Sequence, residues 1–171
     1  MEGIKMSITF NADEIFEMAE EIERNGAKFY REATKKTSDS KTKQMLLDMA
    51  AMEDGHLRTF AKMRYELSNQ EKKETIFDPD SEAALYLQAM ADSRGIEGRI
   101  SPTQKLTGKE TIKEILEIAL NSEKESVVFY FGLKGMVPTK AGQDRVEAII
   151  LEEINHITAL LNQLKELQQK E

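Results

Sequence analysis

The feature that most constrains this chain is that it repeats itself at an offset of 100 residues. Glu14, Ile15, Glu17, Ala19, Glu23, Phe29, Tyr30, Glu53, His56, Glu66 and Leu67 fall on Glu114, Ile115, Glu117, Ala119, Glu123, Phe129, Tyr130, Glu153, His156, Glu166 and Leu167. These are 11 identities over the 54 positions from 14 to 67, without a gap, where unrelated segments would share only a few. Many other pairs are apolar on apolar, such as Leu46 with Val146 and Phe60 with Leu160. A duplicated unit of this kind packs its two copies about a pseudo-two-fold axis.

Each copy carries two helical patterns. Apolar residues recur three and four apart, the spacing of one helix face. In the first helix, about 11–36, the stripe is Phe16, Ala19, Ala27, Tyr30 and Ala33, and Asn11 with Glu14 reads as a capping box. In the second, about 39–67, it is Leu46, Met49, Leu57, Phe60, Met63 and Leu67. The third, about 107–134, shows Ile112, Leu116, Ala119, Val127 and Tyr130. The fourth follows Pro138, a stop signal, and shows Val146, Ile149, Leu160, Leu164 and Leu167. Short connections make each copy an antiparallel αα-hairpin. The connection between copies, 68–106, is long and holds a predicted short helix over 81–91. It is long enough to cross a helix of roughly 40 Å. The expected fold is therefore an all-α four-helix bundle of two αα-hairpins (11–67 and 107–170) with one crossover, forming a single domain over 1–171.

Composition narrows the function. The net charge is -7 and the pI about 5.1, which speaks against a nucleic-acid partner. There is no Cys, so disulfides, Cys-based metal sites and a Cys nucleophile are excluded within these residues. No run approaches the length of a membrane span, and residues 1–10 lack the apolar core of a signal peptide, so the expected location is the cytoplasm with no membrane partner. The methionines, among them Met45, Met49, Met52 and Met63, read as packing material, and the charge runs 70–74 and 163–171 as solvated faces.

The chain has two histidines, and both lie in Glu-x-x-His: Glu53 with His56, and Glu153 with His156. Glu supplies 23 of 171 residues, so chance would place Glu three before both in roughly 2% of such chains. Residues three apart share a face, here the apolar one. Glu53 lies between Met49 and Leu57, and Glu153 between Ile149 and Ile157. The first and third helices each add one carboxylate to their stripes, Glu23 between Ala19 and Ala27 and Glu123 between Ala119 and Val127. Glu20 competes with Glu23, but its repeat counterpart is Leu120. Tyr30 and Tyr130 follow seven residues after Glu23 and Glu123, either as core packing or as hydrogen-bond donors behind these carboxylates.

Four buried carboxylates without partners are costly. Metal resolves the difficulty: two divalent cations balance four glutamates, with two neutral imidazoles completing the set. A Glu from each of two helices plus a Glu-x-x-His from each of the other two is the dinuclear carboxylate constellation of helical bundles. The candidate metal ligands are thus Glu23, Glu53, His56, Glu123, Glu153 and His156, and the donor set suits two iron ions, or manganese. Glu23 and Glu123 are also candidates for proton transfer.

These residues resemble the rubrerythrin-like branch of the ferritin-like superfamily. The carriers are E-R-N-G-A-K-F-Y at 23–30, E-D-G-H at 53–56, E-K-E-S-V-V-F-Y at 123–130 and E-I-N-H at 153–156. The resemblance implies a ferritin-like bundle in which Glu53 and Glu153 bridge two irons. Glu23 and His56 complete one ion's shell, Glu123 and His156 the other's, and Tyr30 and Tyr130 hydrogen-bond to ligand carboxylates. It implies a di-iron oxidoreductase that reduces hydrogen peroxide or reacts with dioxygen, with electrons from a separate donor, rubredoxin-like or other, because the family's Cys₄ domain has no counterpart in a chain without Cys. The family's extra glutamate three residues after the third-helix ligand is Ser126 here, and the haem-ligating Met of bacterioferritins is replaced by Asp54. Alternatives are an iron-storage protein with ferroxidase activity, a di-iron hydroxylase of an organic substrate, and a helical interaction module. A homodimer is the expected assembly.

Overall fold

The computed structural model describes residues 11–69, 72, 106–137 and 139–169. Among these, four long α-helices carry the fold: α1 (Ala12–Ala33), α2 (Ser40–Glu66), α3 (Ile112–Met136) and α4 (Lys140–Gln168). The start of each is written in its capping residues. The Asn11 side chain accepts from the Glu14 N–H while the Glu14 carboxylate accepts from the Asn11 N–H, and Thr111 with Glu114 repeats this box at the same offset of 100. Asp39 and Thr139 cap α2 and α4 through the N–H groups of Thr42 and Gly142.

Two boundaries differ from expectation. The first helix was expected to reach 36, but Thr34–Lys36 form a turn of 3-10 helix, the tighter winding common at helix ends. The third was expected from 107, yet α3 starts at Ile112. Here the Glu110 carboxylate accepts from the N–H groups of Thr107 and Gly108 and from the Thr107 hydroxyl. Gly108 takes φ +92°, which only glycine adopts cheaply, so 107–110 is a turn. Most of the expected crossover 68–106, including the short helix over 81–91, lies outside the described residues.

The hairpins pack α1 on α2 and α3 on α4, and they meet through α1 with α3 and α2 with α4. Tyr30 reaches Glu123 while Tyr130 reaches Glu23, so α1 and α3 run antiparallel. Gln163 bonds Thr42 and Arg145 bonds Glu66, so α2 and α4 do likewise. Arg64 near the end of α2 pairs bidentately with Asp13 at the start of α1, at 3.0 and 2.9 Å. Lys36 beyond the end of α1 holds the Gly108 carbonyl just before α3. The end of α2 and the start of α3 therefore lie at opposite ends of the bundle, as a two-hairpin bundle with one crossover requires. This is an all-α ferritin-like architecture, and among the described residues no helix is long and apolar enough to cross a membrane.

The core forms two apolar layers. One gathers Phe16, Ile22, Phe60, Phe129, Leu133 and Val146; the other Phe29, Leu46, Met49, Leu116, Leu120 and Leu160. Of the expected stripes, Leu57, Leu67, Ile112, Val127 and Leu167 are only half-buried, because they sit at the edge of their helix faces. Met49 and Met63 are buried, but Met52 is 37% exposed and is not packing material. The run 163–171 is not wholly a solvated face either. Gln163 is 4% exposed and its amide donates to the buried Thr42 hydroxyl, which in turn donates to Asp39 at the surface, so both buried groups are satisfied.

The repeat counterpart of this Thr42–Gln163 pair is Gly142 with Met63. A Cβ on Gly142 would sit 2.5 Å from the Val137 Cγ1 and 2.9 Å from the Thr139 hydroxyl. Gly135, one residue before the end of α3, has nothing within 4 Å of such a Cβ. Alanine gains up to about 1 kcal/mol over glycine in a helix, while overpacking costs roughly 1–3 kcal/mol. Gly135→Ala should raise the Tm by a few degrees and Gly142→Ala should lower it, in parallel thermal melts. A stabilising Gly142→Ala would mean that Val137 yields without cost.

Candidate metal centre

The six side chains singled out by the repeat come together between the two apolar layers. All are buried: Glu23 is 0% exposed, Glu153 and His156 1%, and Glu53, His56 and Glu123 4%. Helical register puts them there. Glu23 lies one turn from Ala19 and Ala27, both buried, and Glu53 and His56 lie between Met49 and Phe60 on the inward face of α2. Glu123, Glu153 and His156 take the matching places on α3 and α4. Glu20, the competing carboxylate, points elsewhere, 3.6 Å from Arg64 and 3.8 Å from Arg24.

Two overlapping groups emerge. Glu23, Glu53, His56 and Glu153 each bring one ligand atom within 4.8 Å of the others, and so do Glu53, Glu123, Glu153 and His156. That is close to the roughly 4 Å between ligands on opposite sides of one ion. Glu53 and Glu153 belong to both groups, so the two groups form one continuous pocket rather than two separate ones. Each imidazole turns its Nδ1 inward. His56 Nδ1 is 2.9 Å from Glu153, 3.4 Å from Glu23 and 3.8 Å from Glu53. His156 Nδ1 is 3.0 Å from Glu153 and 3.3 Å from both Glu53 and Glu123. The rings stack with centroids 6.1 Å apart and 29° between planes.

Behind the pocket, the hydroxyl of Tyr30 donates to Glu123 and that of Tyr130 to Glu23. Each tyrosine thus reaches from one hairpin to the outer carboxylate of the other, while its ring packs in an apolar layer. Both readings of the tyrosines hold at once.

Whether this pocket suits metal ions is answered by its unsatisfied atoms. Glu23 Oε2, Glu53 Oε1, both carboxylate oxygens of Glu153, and Nδ1 of both histidines are buried without a hydrogen-bond partner. Their close neighbours are one another, the carboxylates and imidazoles of the same cluster. Buried polar atoms are otherwise nearly always paired, and these unpaired atoms are oxygen and imidazole donors, the set that iron and manganese accept. The cluster is able to bind metal.

Its electrostatics without metal are self-consistent. Burial, reinforced by the charge of Glu53, pushes the Glu23 carboxyl well above its ordinary range; burial and the charge of Glu153 do the same for Glu123. Burial also raises Glu53, but the neighbouring Glu23, His156 and His56 outweigh it and hold Glu53 below its usual value. Glu153 is likewise held low by His156, His56 and Glu123 against burial and the charge of Glu53. Burial disfavours charge on the histidines, yet the carboxylates around them prevail. His156 is pushed up to about 12 by Glu123, Glu153 and Glu53, and His56 is raised strongly by Glu153, Glu23 and Glu53. These directions favour charge on the two imidazoles and on Glu53 and Glu153, and favour the neutral form of Glu23 and Glu123. Burial, with the charges of Glu123 and Glu23 respectively, keeps Tyr30 and Tyr130 protonated.

One residue at the site escaped the sequence reading. Glu152 on α4 places its Oε2 2.8 Å from the outward Nε2 of His56. Its repeat counterpart is Met52, so no matched pair marked it.

No family model matches the chain, and no curated protein does. Among solved structures the chain is similar to a Thermotoga maritima protein provisionally assigned as a ferritin-like diiron-carboxylate protein and determined at 2.30 Å resolution. The TM-score is 0.68 and the identity 25%, over 92% of this chain and 97% of the other. Fold and site together define a ferritin-like bundle with a buried Glu/His cluster able to bind metal.

The charge pattern has a measurable consequence. Should the pocket take up two divalent ions, Glu23 and Glu123 would ionise and both histidines would lose a proton, so about four protons would leave per pair of ions. Metal affinity should therefore rise with pH through the neutral range. Calorimetric titration with cobalt(II) in buffers of different ionisation enthalpy counts the protons; a count near zero would contradict the protonation pattern.

Proposed function

We propose that this chain is a rubrerythrin-like di-iron oxidoreductase that reduces hydrogen peroxide, or reacts with dioxygen, at the pocket of Glu23, Glu53, His56, Glu123, Glu153 and His156. The observation that carries this reading is the sharing of Glu53 and Glu153 between two four-residue groups. Shared carboxylates hold two ions side by side, and two adjacent ions can deliver two electrons to one small oxidant. When bound, a pair of iron(II) ions supplies those electrons, turning one peroxide and two protons into two waters. The similarity to a protein provisionally assigned as diiron-carboxylate supports iron over other metals.

The protein's own residues do the remaining work. Tyr30 and Tyr130 hold the carboxylates of Glu123 and Glu23 in place, which pre-sets the donor geometry. Glu23 and Glu123, ionised once metal is bound, would take up and relay protons to the departing oxygens rather than supply stored ones. The apolar layers on either side keep bulk water out.

On the side of Glu53 and Glu123 the space suits a small oxidant, while the larger groove lies on the other side, against His156. A cavity of about 10 Å³ lies against Gly26, Tyr30, Glu53, Glu123 and Ser126. That is about the room of a single water molecule, a scale suited to an oxygen species. Gly26 and Ser126 keep it open: a Cβ on Gly26 would already touch the Glu53 carboxylate at 3.4 Å. Electrons would return from a separate donor.

Stopped-flow mixing of the anaerobic iron(II)-loaded protein with peroxide should show oxidation much faster than that of free iron(II). Glu53→Gln, which removes a shared ligand charge, should lose the acceleration by at least about tenfold. Oxidation no faster than that of free iron(II) would rule out the peroxidase reading.

A further inference from the structure

The two halves of the pocket match in their ligands but not in what stands behind the histidines. His56 Nε2 lies 2.8 Å from the Glu152 carboxylate. The repeat counterpart of Glu152 is Met52, which offers a thioether in place of a carboxylate. His156 Nε2 is buried and has no hydrogen-bond partner among the described residues. His156 instead forms part of the wall of an open groove of about 600 Å³, lined also by Met45, Met49, Met52, Asn155 and Ala159. Asn155 lines the same groove but makes no bond to that nitrogen. The repeat therefore supplies an internal control: the same ligand, once backed by a carboxylate and once left bare.

We infer that the two metal positions are unequal, with Glu152 making the His56 position the tight one and the His156 position the labile, groove-facing one. The inference rests on the dimetal reading above. A metal-binding imidazole ordinarily donates its second N–H to a carboxylate or carbonyl, which fixes the ring and raises the basicity of the ligating nitrogen. His56 has this support. Among the described residues His156 lacks it, so nothing fixes its outer nitrogen and its Nδ1 is the poorer donor. Glu152 acts through His56 and does not reach the pocket, which makes it a positioning residue. With its side chain half exposed, its replacement should leave the fold intact. The ion beside His156 is then the one that exchanges and the one an incoming ligand meets from the groove.

Equilibrium dialysis of the full chain against cobalt(II) under anaerobic conditions, with elemental analysis, tests this directly. Wild type should fill in two steps separated by about tenfold or more. Glu152→Gln should weaken the tighter step about 10–100-fold and leave the weaker one nearly unchanged. Met52→Glu, which supplies the missing carboxylate, should tighten the weaker step. His156→Ala should abolish the weaker step and retain the tighter. Two equal steps in wild type, or a Glu152→Gln variant with unchanged binding, would overturn the inequality while leaving the dimetal reading standing. A wild-type chain that takes up no cobalt would overturn both.

Discussion

The structure depends on keeping a buried cluster of four carboxylates and two imidazoles electrically neutral. Each group alone would cost several kcal/mol to bury as an ion. Together they have two neutral solutions. In one, both histidines and the two outer glutamates, Glu23 and Glu123, carry protons. In the other, bound cations take the place of those protons. The polypeptide is compatible with both, but only the second satisfies the donor atoms that the first leaves unpaired. The bundle can thus fold around protons and still offer a ready cage to metal.

The rest of the architecture serves that cluster. Two apolar layers flank it along the bundle and supply the burial that gives the fold its driving force. Tyr30 and Tyr130 belong to the layers by their rings and to the cluster by their hydroxyls. Each ties a carboxylate of the opposite hairpin, so the hairpins are joined most specifically at the site itself. Elsewhere the buried Gln163–Thr42 bond is joined by charged and more exposed contacts, as between Lys41 and Glu166 at 2.6 Å or Arg145 and Glu66 at 2.9 Å. Such exposed pairs contribute little stability, and they set register more than strength.

Duplication explains the symmetry and also makes departures from it informative. Some departures form compensating pairs. Thr42 with Gln163 is a hydrogen-bonded pair at one end, and Gly142 with Met63 is a small–large pair at the other. Glu152 opposite Met52 is a divergence without such compensation, because it leaves one imidazole nitrogen supported and its twin bare. An asymmetric reaction, in which one ion stays and the other meets the incoming molecule, would make use of that difference.

Much of this was legible in the residue pattern, for a physical reason. Side chains three and four apart must share a helix face, so the placement of Glu23, Glu53, His56 and their counterparts on apolar faces followed from local geometry. Helix starts at Asn11 and Thr111 are equally local, since a cap bonds its own first turn. The start of α3 was misjudged because the turn at 107–110 is held by Glu110, a residue that also suits a helix. Gln163 was misjudged because its burial depends on Thr42, 121 positions away. What the chain alone determined, then, is the set of faces and the ligands upon them. Only the tertiary structure decided which hairpin's tyrosine holds which carboxylate and that Glu152 stands behind His56. Those facts arise from how helices distant in sequence cross, and no local spacing encodes a crossing.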